Sequence, residues 1–267
     1  GAAPEGTTAE LKISSQEGRV PGRTLTEKLD RMEEWGIVGL EPGGGGLPAR
    51  VEQLQAALKG RRVAISAVCA GYQGTLIAAD PAERQRCVES IKELLAAAGA
   101  LGSTGLIVVP AFNRHQQLVG AEARKVLVEL LGVVGEHAAR CGTRVLLEPL
   151  NRGEAYFLRQ VADAAAICRD VNSPGVGVMG DFYHMAREET NDEAAFLAAG
   201  SYLHHVHLAS RTRKLPGQDD RDFTSGFRGL KRIGYRDYCS FECGCDGDPL
   251  VEIPKSVRFL REQWARA

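Results

Sequence analysis

The sequence lacks any apolar run long enough to cross a membrane, and it lacks an excess of charge of either sign. No stretch approaches about 18 consecutive apolar residues, which excludes a membrane-spanning helix. Lys+Arg 33 against Asp+Glu 34 gives a formal net charge of -1. A nucleic-acid binder carries a broad excess of Lys and Arg instead. We therefore expect no membrane and no nucleic acid as a partner.

We expect no signal peptide in this chain, because no charged segment at its start is followed by an apolar one. Residues Gly1–Pro4 are either a cloning remnant or a mature end left after removal of a signal. We expect a cytoplasmic protein, with the periplasm as the alternative. The 7 cysteines are an odd number, and no two have the C-x-x-C spacing of a zinc ribbon or thioredoxin-like site. A reducing compartment fits these thiols best.

Short apolar runs alternate with longer helical patterns along the whole chain. The predicted strands are Leu11–Gln16, Val38–Pro42, Val63–Ala70, Gly105–Ala111, Arg144–Leu150, Val176–Asp181, Leu203–Ala209 and Tyr238–Cys243. The predicted helices are Thr24–Trp35, Leu47–Leu58, Pro81–Leu101, Ala121–Arg140, Leu158–Asp170, Asp192–Ala199, Phe223–Ile233 and Pro254–Trp264. Eight β-then-α units in about 255 residues predict an α/β protein with a single (β/α)8 TIM barrel, residues 11–267, after an N-terminal extension, residues 1–10. A doubly wound open sheet is the alternative.

In such a barrel, polar groups at the carboxyl ends of the strands are the candidates for function. The first four predicted strands offer Gln16, Glu41, Cys69 and Asn113, and the last four offer Glu148, Asp181, His207 and Glu242. Each of the last four interrupts an apolar stretch, and a charge buried alone is costly. A shared divalent cation would balance them, and this donor set suits Mn²⁺, Mg²⁺ or Co²⁺ better than structural Zn²⁺. The alternative is a network of buried ion pairs or protonated carboxyl groups.

Five segments of the second half of the chain resemble motifs of one family. They are Glu148–Asn151, Asp181–His184, His205–His207, Phe241–Cys243 and Arg211–Asp219. They are similar to the metal-site motifs and one substrate loop of the sugar phosphate isomerase/epimerase superfamily, which has a xylose isomerase-like TIM barrel. The resemblance is to the ketose 3-epimerase branch and covers about residues 11–264.

The resemblance implies a role for each motif residue. One divalent cation, Mn²⁺ by preference and Mg²⁺, Co²⁺ or Zn²⁺ as alternatives, would be held by Glu148, Asp181, His207 and Glu242. Glu148 and Glu242 would also form the catalytic acid/base pair. His184 and Arg213 would hydrogen-bond oxygen atoms of the substrate. The family's barrels are often dimers or tetramers, so we expect a homo-oligomer.

Further residues near the predicted strand ends are candidates with two interpretations each. Asn151 and Glu154 follow the fifth strand and would orient Glu148 or touch substrate. Tyr72 follows the third strand and would pack on a sugar face or lie at the rim. Glu41 would contact substrate or cap the loop that follows it, and the glycines at 43–46 are typical of a flexible loop.

These residues predict an isomerase or epimerase acting on a small sugar, sugar phosphate or polyol. Removal of a proton next to a carbonyl gives an enediolate, which a bound metal stabilises. Return of the proton to the opposite face is epimerisation, and its return to the neighbouring carbon is isomerisation. A lyase or dehydratase acting on an inosose-like or 3-keto sugar is the alternative. An AP-endonuclease-like repair enzyme and a non-catalytic sugar-binding barrel are more remote ones.

Overall fold

The computed structural model describes residues 8–114 and 117–267, and within them the strands form one parallel sheet. The strands are β1 Lys12–Gln16, β2 Gly39–Glu41, β3 Ala64–Ile65, β4 Ala67–Cys69, β5 Gly105–Val108, β6 Val145–Leu147, β7 Val176–Asp181, β8 Leu203–Leu208 and β9 Tyr238–Phe241. Their order in the sheet is β3-β2-β1-β9-β8-β7-β6-β5-β4. The first strand therefore pairs with the last, as a barrel requires and an open doubly wound sheet does not.

The third predicted strand is split at Ser66, and this split closes the barrel. β3 pairs with β2, whereas β4 pairs with β5. The Ser66 N–H donates to Leu40 O at 2.9 Å, and Ser66 O accepts from the Thr104 N–H at 3.0 Å. Further along, the Cys69 N–H donates to Pro42 O at 2.9 Å. The two ends of the sheet thus meet, and the predicted TIM barrel is confirmed, although two short strands take the place of its third strand.

The helices follow the strands and cover the outside of the barrel. They are α1 Leu25–Glu34, α2 Val51–Leu58, α3 Pro81–Ala100, α4 Gly120–Arg140, α5 Val161–Val171, α6 Phe182–Glu188, α7 Asp192–Ala199, α8 Thr224–Arg232 and α9 Pro249–Arg266. None of those described combines the length and the apolar character needed to cross a bilayer.

Two helices differ most from the sequence expectation. α6 was not predicted, because it follows β7 directly and its N-cap, Asp181, is itself the last strand residue. α9 begins at Pro249 and not at Pro254, because Asp248 accepts a hydrogen bond from the Leu250 N–H at 3.0 Å and caps this earlier start.

Side chains inside the barrel separate from those that face the helices. Alternate residues of a strand point to opposite faces, so one residue from each of four strands fills the interior. This apolar layer is Ala67, Ile107, Leu146 and Met179. Of the predicted N-terminal extension, residues 1–7 lie outside the described residues, and the Glu10 N–H donates to Tyr235 O at 3.0 Å.

Candidate metal centre

The four predicted ligands lie together at one end of the barrel. Glu148 directly follows β6, Asp181 ends β7, His207 lies in β8, and Glu242 directly follows β9. In the strand register Asp181 is level with His207, which is level with Ser240 of β9. One donor atom from each of the four lies within 4.8 Å of the others. The structure therefore brings together the four side chains that the sequence argument placed at parallel strand ends.

Three buried atoms of this cluster have no hydrogen-bond partner among the described residues. They are Glu148 Oε2, Asp181 Oδ2 and His207 Nδ1. His207 Nδ1 lies 2.6 Å from Glu242 Oε2, 3.5 Å from Asp181 Oδ2 and 3.7 Å from Glu148 Oε2. Four acceptor atoms that face one another repel unless a cation or protons lie between them. Three carboxylate oxygens and one imidazole nitrogen fit a hard or borderline divalent cation.

Asp181 uses its two oxygens differently. Oδ1 accepts a hydrogen bond from the Tyr183 N–H at 2.8 Å and caps α6. Oδ2 is the unpartnered atom that faces the cluster. Because the cap fixes the carboxylate plane, the position of Oδ2 is set by the first turn of α6.

The alternative of a buried network with arginine or lysine does not describe the centre. The only such contact to the four ligands within the described ranges is that of Arg213, whose Nη2 donates to Glu242 Oε1 at 3.0 Å. The ion pairs found for Glu148 and Asp181 involve His207 alone. Glu242 Oε1 thus faces the guanidinium, and its Oε2 remains on the side of His207.

The ionisation of the cluster reflects acidic groups held close together in a buried place. Burial raises the pKa of Glu148 to about 8; His207 opposes this rise, and the charge of Glu242 adds to it. Burial acts against a charged His207, but Glu242 and Glu41 raise its pKa well above the ordinary value. Burial also acts to raise the pKa of Asp181, and His207 and His184 lower it overall. Without a cation, the centre therefore retains protons on Glu148 and His207 at neutral pH.

Glu41 lies behind His207 as its buried partner. Its carboxylate oxygens lie 3.0 and 2.9 Å from His207 Nε2, and Oε1 lies 2.6 Å from His205 Nε2. The Gln16 amide donates to Glu41 Oε2 at 2.8 Å. Burial acts to raise the pKa of Glu41, but the two histidines lower it overall, so it is a carboxylate. An anion at Nε2 places the proton there and leaves Nδ1 free to accept a cation.

Glu41 therefore differs from its sequence expectation. It is 1% exposed and bonded to histidines, so it is neither a loop cap nor open to a substrate contact. His205 points to the same side as His207, as strand alternation predicted, and His204 points away and bonds Asp237 Oδ2 at 3.0 Å.

His184 presents a hydrogen-bond donor close to the four ligands. Its Nδ1 accepts the Asn151 N–H at 3.0 Å and lies 2.8 Å from Asn151 Nδ2, which also donates to Glu154 Oε2 at 3.1 Å. Burial lowers the pKa of His184, so the ring is neutral with its proton on Nε2. This Nε2 is buried and has no partner in the part of the chain that the structure describes.

Arg213 is held in an unusual backbone conformation beside Glu242. Its φ is 62°, in the left-handed region, where a non-glycine residue is strained. Besides its bond to Glu242, the guanidinium lies 4.5 Å from the centre of the Tyr183 ring and 3.8 Å from Glu154 Oε2. Asp219 fixes the loop, because its carboxylate accepts the N–H groups of the residues at 211, 212 and 221.

Two remaining candidates, Tyr72 and the glycine loop, follow β4 and β2 at the mouth of the barrel, the end where the strands' carboxyl termini lie. The Tyr72 hydroxyl donates to Val109 O and accepts from the Val109 N–H, both at 3.0 Å, so only its ring is available to a ligand. The glycine loop at 43–46 packs closely on its neighbours, because a Cβ on Gly44 would lie 1.9 Å from Ala70 O. The packing of Tyr72 on a sugar stays a prediction.

Comparison with known proteins agrees with this geometry. A family model described as "Xylose isomerase-like TIM barrel" matches residues 29–263. The chain is 31% identical over 262 residues to 3-dehydro-D-guloside 4-epimerase of Escherichia coli (strain K12), covering 94% of this chain and 99% of that protein. It is 27% identical to the ketose 3-epimerase of Arthrobacter globiformis over 70% of this chain and 65% of that one.

A solved structure supports the same assignment. The apo form of the 3-keto-D-glucoside 4-epimerase from E. coli superposes with a TM-score of 0.87 at 29% sequence identity, covering 95% of this chain and 100% of that one. The resemblance deduced from the motifs is thus confirmed over nearly the whole chain. The protein belongs to the xylose isomerase-like TIM barrel family, and it is an enzyme of the isomerase class.

Proposed function

We propose that the protein is a divalent-metal-dependent epimerase acting on a keto sugar. The observation that carries the proposal is the convergence of unpartnered Glu148 Oε2, Asp181 Oδ2 and His207 Nδ1 next to Glu242. The relative that acts on 3-dehydro-D-guloside supports the reaction class, because the match extends over both chains almost completely. Ketose 3-epimerase relatives support the same class over a shorter part.

The cation would be held by Glu148, Asp181, His207 and Glu242, one donor atom from each. When bound, it supplies positive charge next to the oxygen on which negative charge develops after proton removal. The oxygen-rich donor set favours Mn²⁺, Mg²⁺ or Co²⁺. Glu41 would keep the His207 ring in the tautomer that ligates through Nδ1.

Glu148 and Glu242 would be the acid/base pair. One carboxylate takes the proton from the carbon next to the carbonyl, and the other carboxyl group gives a proton to the opposite face. The centre is inverted and no atom is lost from the substrate. The two groups differ in environment: Glu148 is 6% exposed, whereas Glu242 accepts hydrogen bonds from Arg213 at 3.0 Å and from Gln16 at 3.2 Å.

His184 and Arg213 would orient the substrate. The unpartnered Nε2–H of His184 can donate to a carbonyl or hydroxyl oxygen without breaking an existing bond. Arg213 is fixed by Glu242 and the Tyr183 ring, so its remaining N–H groups have a defined direction. Asn151 would hold the His184 ring in place, with Glu154 bonded behind it.

The test is turnover of a substrate panel in deuterated water, by chelated protein and by the same protein after addition of Mn²⁺. The panel contains 3-keto glycosides, free ketoses and sugar phosphates. We expect Mn²⁺ to restore activity, the product to be an epimer, and one carbon-bound deuterium to enter at the inverted centre. Loss of water or of a leaving group would instead assign a lyase, and full activity after verified metal removal would contradict the metal-dependent mechanism.

A further inference from the structure

A cleft of about 440 Å³ opens beside the metal centre, over the ends of β1, β2 and β4. It is lined by Gln16, Glu17, Gly18, Lys28, Glu41, Gly43 and Cys69. None of the residues placed in the metal centre by the sequence motifs belongs to this lining. The volume is within the range of small-molecule sites, roughly 300–1,000 Å³.

The inner end of the cleft reaches Glu242 of the metal centre. Gln16 Nε2, in the cleft wall, lies 3.2 Å from Glu242 Oε2. Donor atoms of Glu41, Cys69 and Glu242 also lie within 4.8 Å of one another. A sugar held between the two glutamates therefore has the cleft on its β1–β4 side, whereas His184 lies on the other side with α6. Any group that extends from the reacting ring past Glu242 enters the cleft.

The outer wall of the cleft is fixed by its own bonds. Arg50 makes two hydrogen bonds to the Glu17 carboxylate, at 3.0 and 2.7 Å. The Lys28 ammonium donates to Glu17 O at 3.0 Å. These contacts hold the turn after β1 against α1, so the cleft is formed before any ligand arrives.

The chemistry of the lining selects a hydroxylated neutral ligand. Of the described residues in the lining, none is aromatic, and the Glu17 carboxylate and the Lys28 ammonium offer an acceptor and donors. The Lys28 ammonium has three N–H groups and donates one to Glu17 O at 3.0 Å, so it can also donate to a hydroxyl group. A phosphate would meet one cation, Lys28, together with the carboxylates of Glu17 and Glu41.

We propose that this cleft binds a second sugar ring, joined by a glycosidic bond to the keto ring that reacts at the metal centre. The proposal rests on the proposed function and narrows its substrate class to keto sugars within a disaccharide. Lys28 donates to hydroxyl groups of this second ring, and Glu17 accepts from them.

Two glycines of one loop provide a matched pair of variants. Gly43 lines the cleft, and a Cβ there would meet only Cys69 O, at 4.0 Å, so a larger side chain is tolerated and occupies the cleft. Gly45 does not line it, and a Cβ there meets nothing within 4 Å. Neither has a positive φ. Gly43→Leu therefore obstructs the cleft, and Gly45→Leu is the control.

The experiment compares a 3-keto disaccharide with the methyl 3-keto glucoside, which has the same reacting ring and no second ring. For the disaccharide, we expect Gly43→Leu to lower kcat/KM by about tenfold or more, mainly through KM. For the methyl glycoside, kcat/KM should stay within about twofold. Gly45→Leu should leave kcat/KM unchanged for both substrates. Thermal unfolding is measured to check that both variants fold.

Other results would overturn the proposal and are distinguishable from failure of the proposed function. Equal effects of Gly43→Leu on both substrates, or no effect on either, remove the cleft as a sugar site. Wild-type preference for free ketoses or for sugar phosphates does the same and leaves the epimerase intact. Absence of epimerisation on the whole panel with Mn²⁺ present rejects the proposed function together with the cleft.

Discussion

The mouth of the barrel has two halves, and their buried polar groups are satisfied in different ways. In the half formed by β6–β9, Glu148, Asp181 and His207 each have one buried atom without a hydrogen-bond partner among the described residues. In the half formed by β1–β5, Glu41 is equally buried but bonded to both His205 and His207. Because an unsatisfied buried acceptor is costly, the first half is prepared for a ligand and the second supports it.

Charged groups and open volume also lie in different halves of the mouth. The β6–β9 half concentrates charged donors within a few ångströms, whereas the β1–β5 half contains the cleft of about 440 Å³. Catalysis needs groups that are fixed and close together, and recognition of a larger substrate needs volume. The two halves meet at Glu242, which Arg213 contacts from one side and Gln16 from the other.

The largest expected effect comes from replacing a glutamate of the first half. Glu148→Gln and Glu242→Gln each remove a proton-transfer group and weaken the cation site, so we expect kcat to fall by about 10²–10⁴-fold with saturating Mn²⁺. The measurement is the initial rate of epimerisation on the best substrate of the panel. Glu41→Gln is the matched control in the second half, a buried carboxylate that does not face the reacting carbon.

This prediction can fail in an informative way. If Glu41→Gln lowers kcat as much as Glu148→Gln at saturating Mn²⁺, the two halves do not differ in function. If both Glu148→Gln and Glu242→Gln retain wild-type turnover, neither residue transfers the proton and the proposed acid/base pair is wrong.

The proximity of the four candidate ligands was predictable from sequence because parallel strands end at the same edge of a sheet. One polar residue at the end of each apolar run was enough to place Glu148, Asp181, His207 and Glu242 together. The role of Glu41 was not predictable in this way. It ends β2, and its partners belong to β8, so their contact depends on how the barrel closes between distant strands.

The local sequence pattern did not predict α6, because one residue belongs to both the strand and the helix. The Asp181 side chain ends β7 and caps α6, so the sequence contains no loop between them, and the seven-residue helix gives too short an apolar pattern to detect. The cleft was not predicted either. Its lining joins residues of three strands and the first helix, and no residue type among them marks a cavity.

A smaller effect should follow from loss of the support behind His207. Glu41→Gln and Glu41→Ala remove the anion that keeps the His207 proton on Nε2. We expect the affinity for Mn²⁺ to fall by about 10–100-fold, as for other partners of ligating histidines, and turnover to be largely recovered at high Mn²⁺. The measurement is calorimetric titration of chelated protein.

The control for this variant is His204→Gln, which lies on the same strand but faces outward to Asp237. It should bind Mn²⁺ like the wild type. Unchanged affinity in both Glu41 variants would show that His207 is oriented without its buried partner, and the second half would then have no part in the metal centre.

The smallest effect is the pH dependence of stability, and it compares the two states of the first half. In the metal-free protein, Glu148 has its pKa raised to about 8 from 4.5, and the pKa of His207 is also raised. The folded state therefore holds more protons than the unfolded state between pH 6.5 and 8, and its stability falls as pH rises through this window. The lowered pKa values of His184 and His205 act in the opposite direction, but below pH 6.5.

A bound cation requires Glu148 as carboxylate and His207 with Nδ1 free. The metal-loaded protein therefore holds fewer of these protons, and its stability depends less on pH in this window. We expect the metal-free protein to lose about 1–2 kcal/mol between pH 6.5 and 8, a few degrees in Tm, and the Mn²⁺-loaded protein to lose less. Thermal unfolding with chelator or with Mn²⁺ measures both. In Glu148→Gln the metal-free slope should flatten, because one of the two proton-holding groups is gone. A metal-free Tm that rises over this window would mean that the carboxylates are already balanced by the protein itself, and the two halves of the mouth would then not differ in the way their buried groups are satisfied.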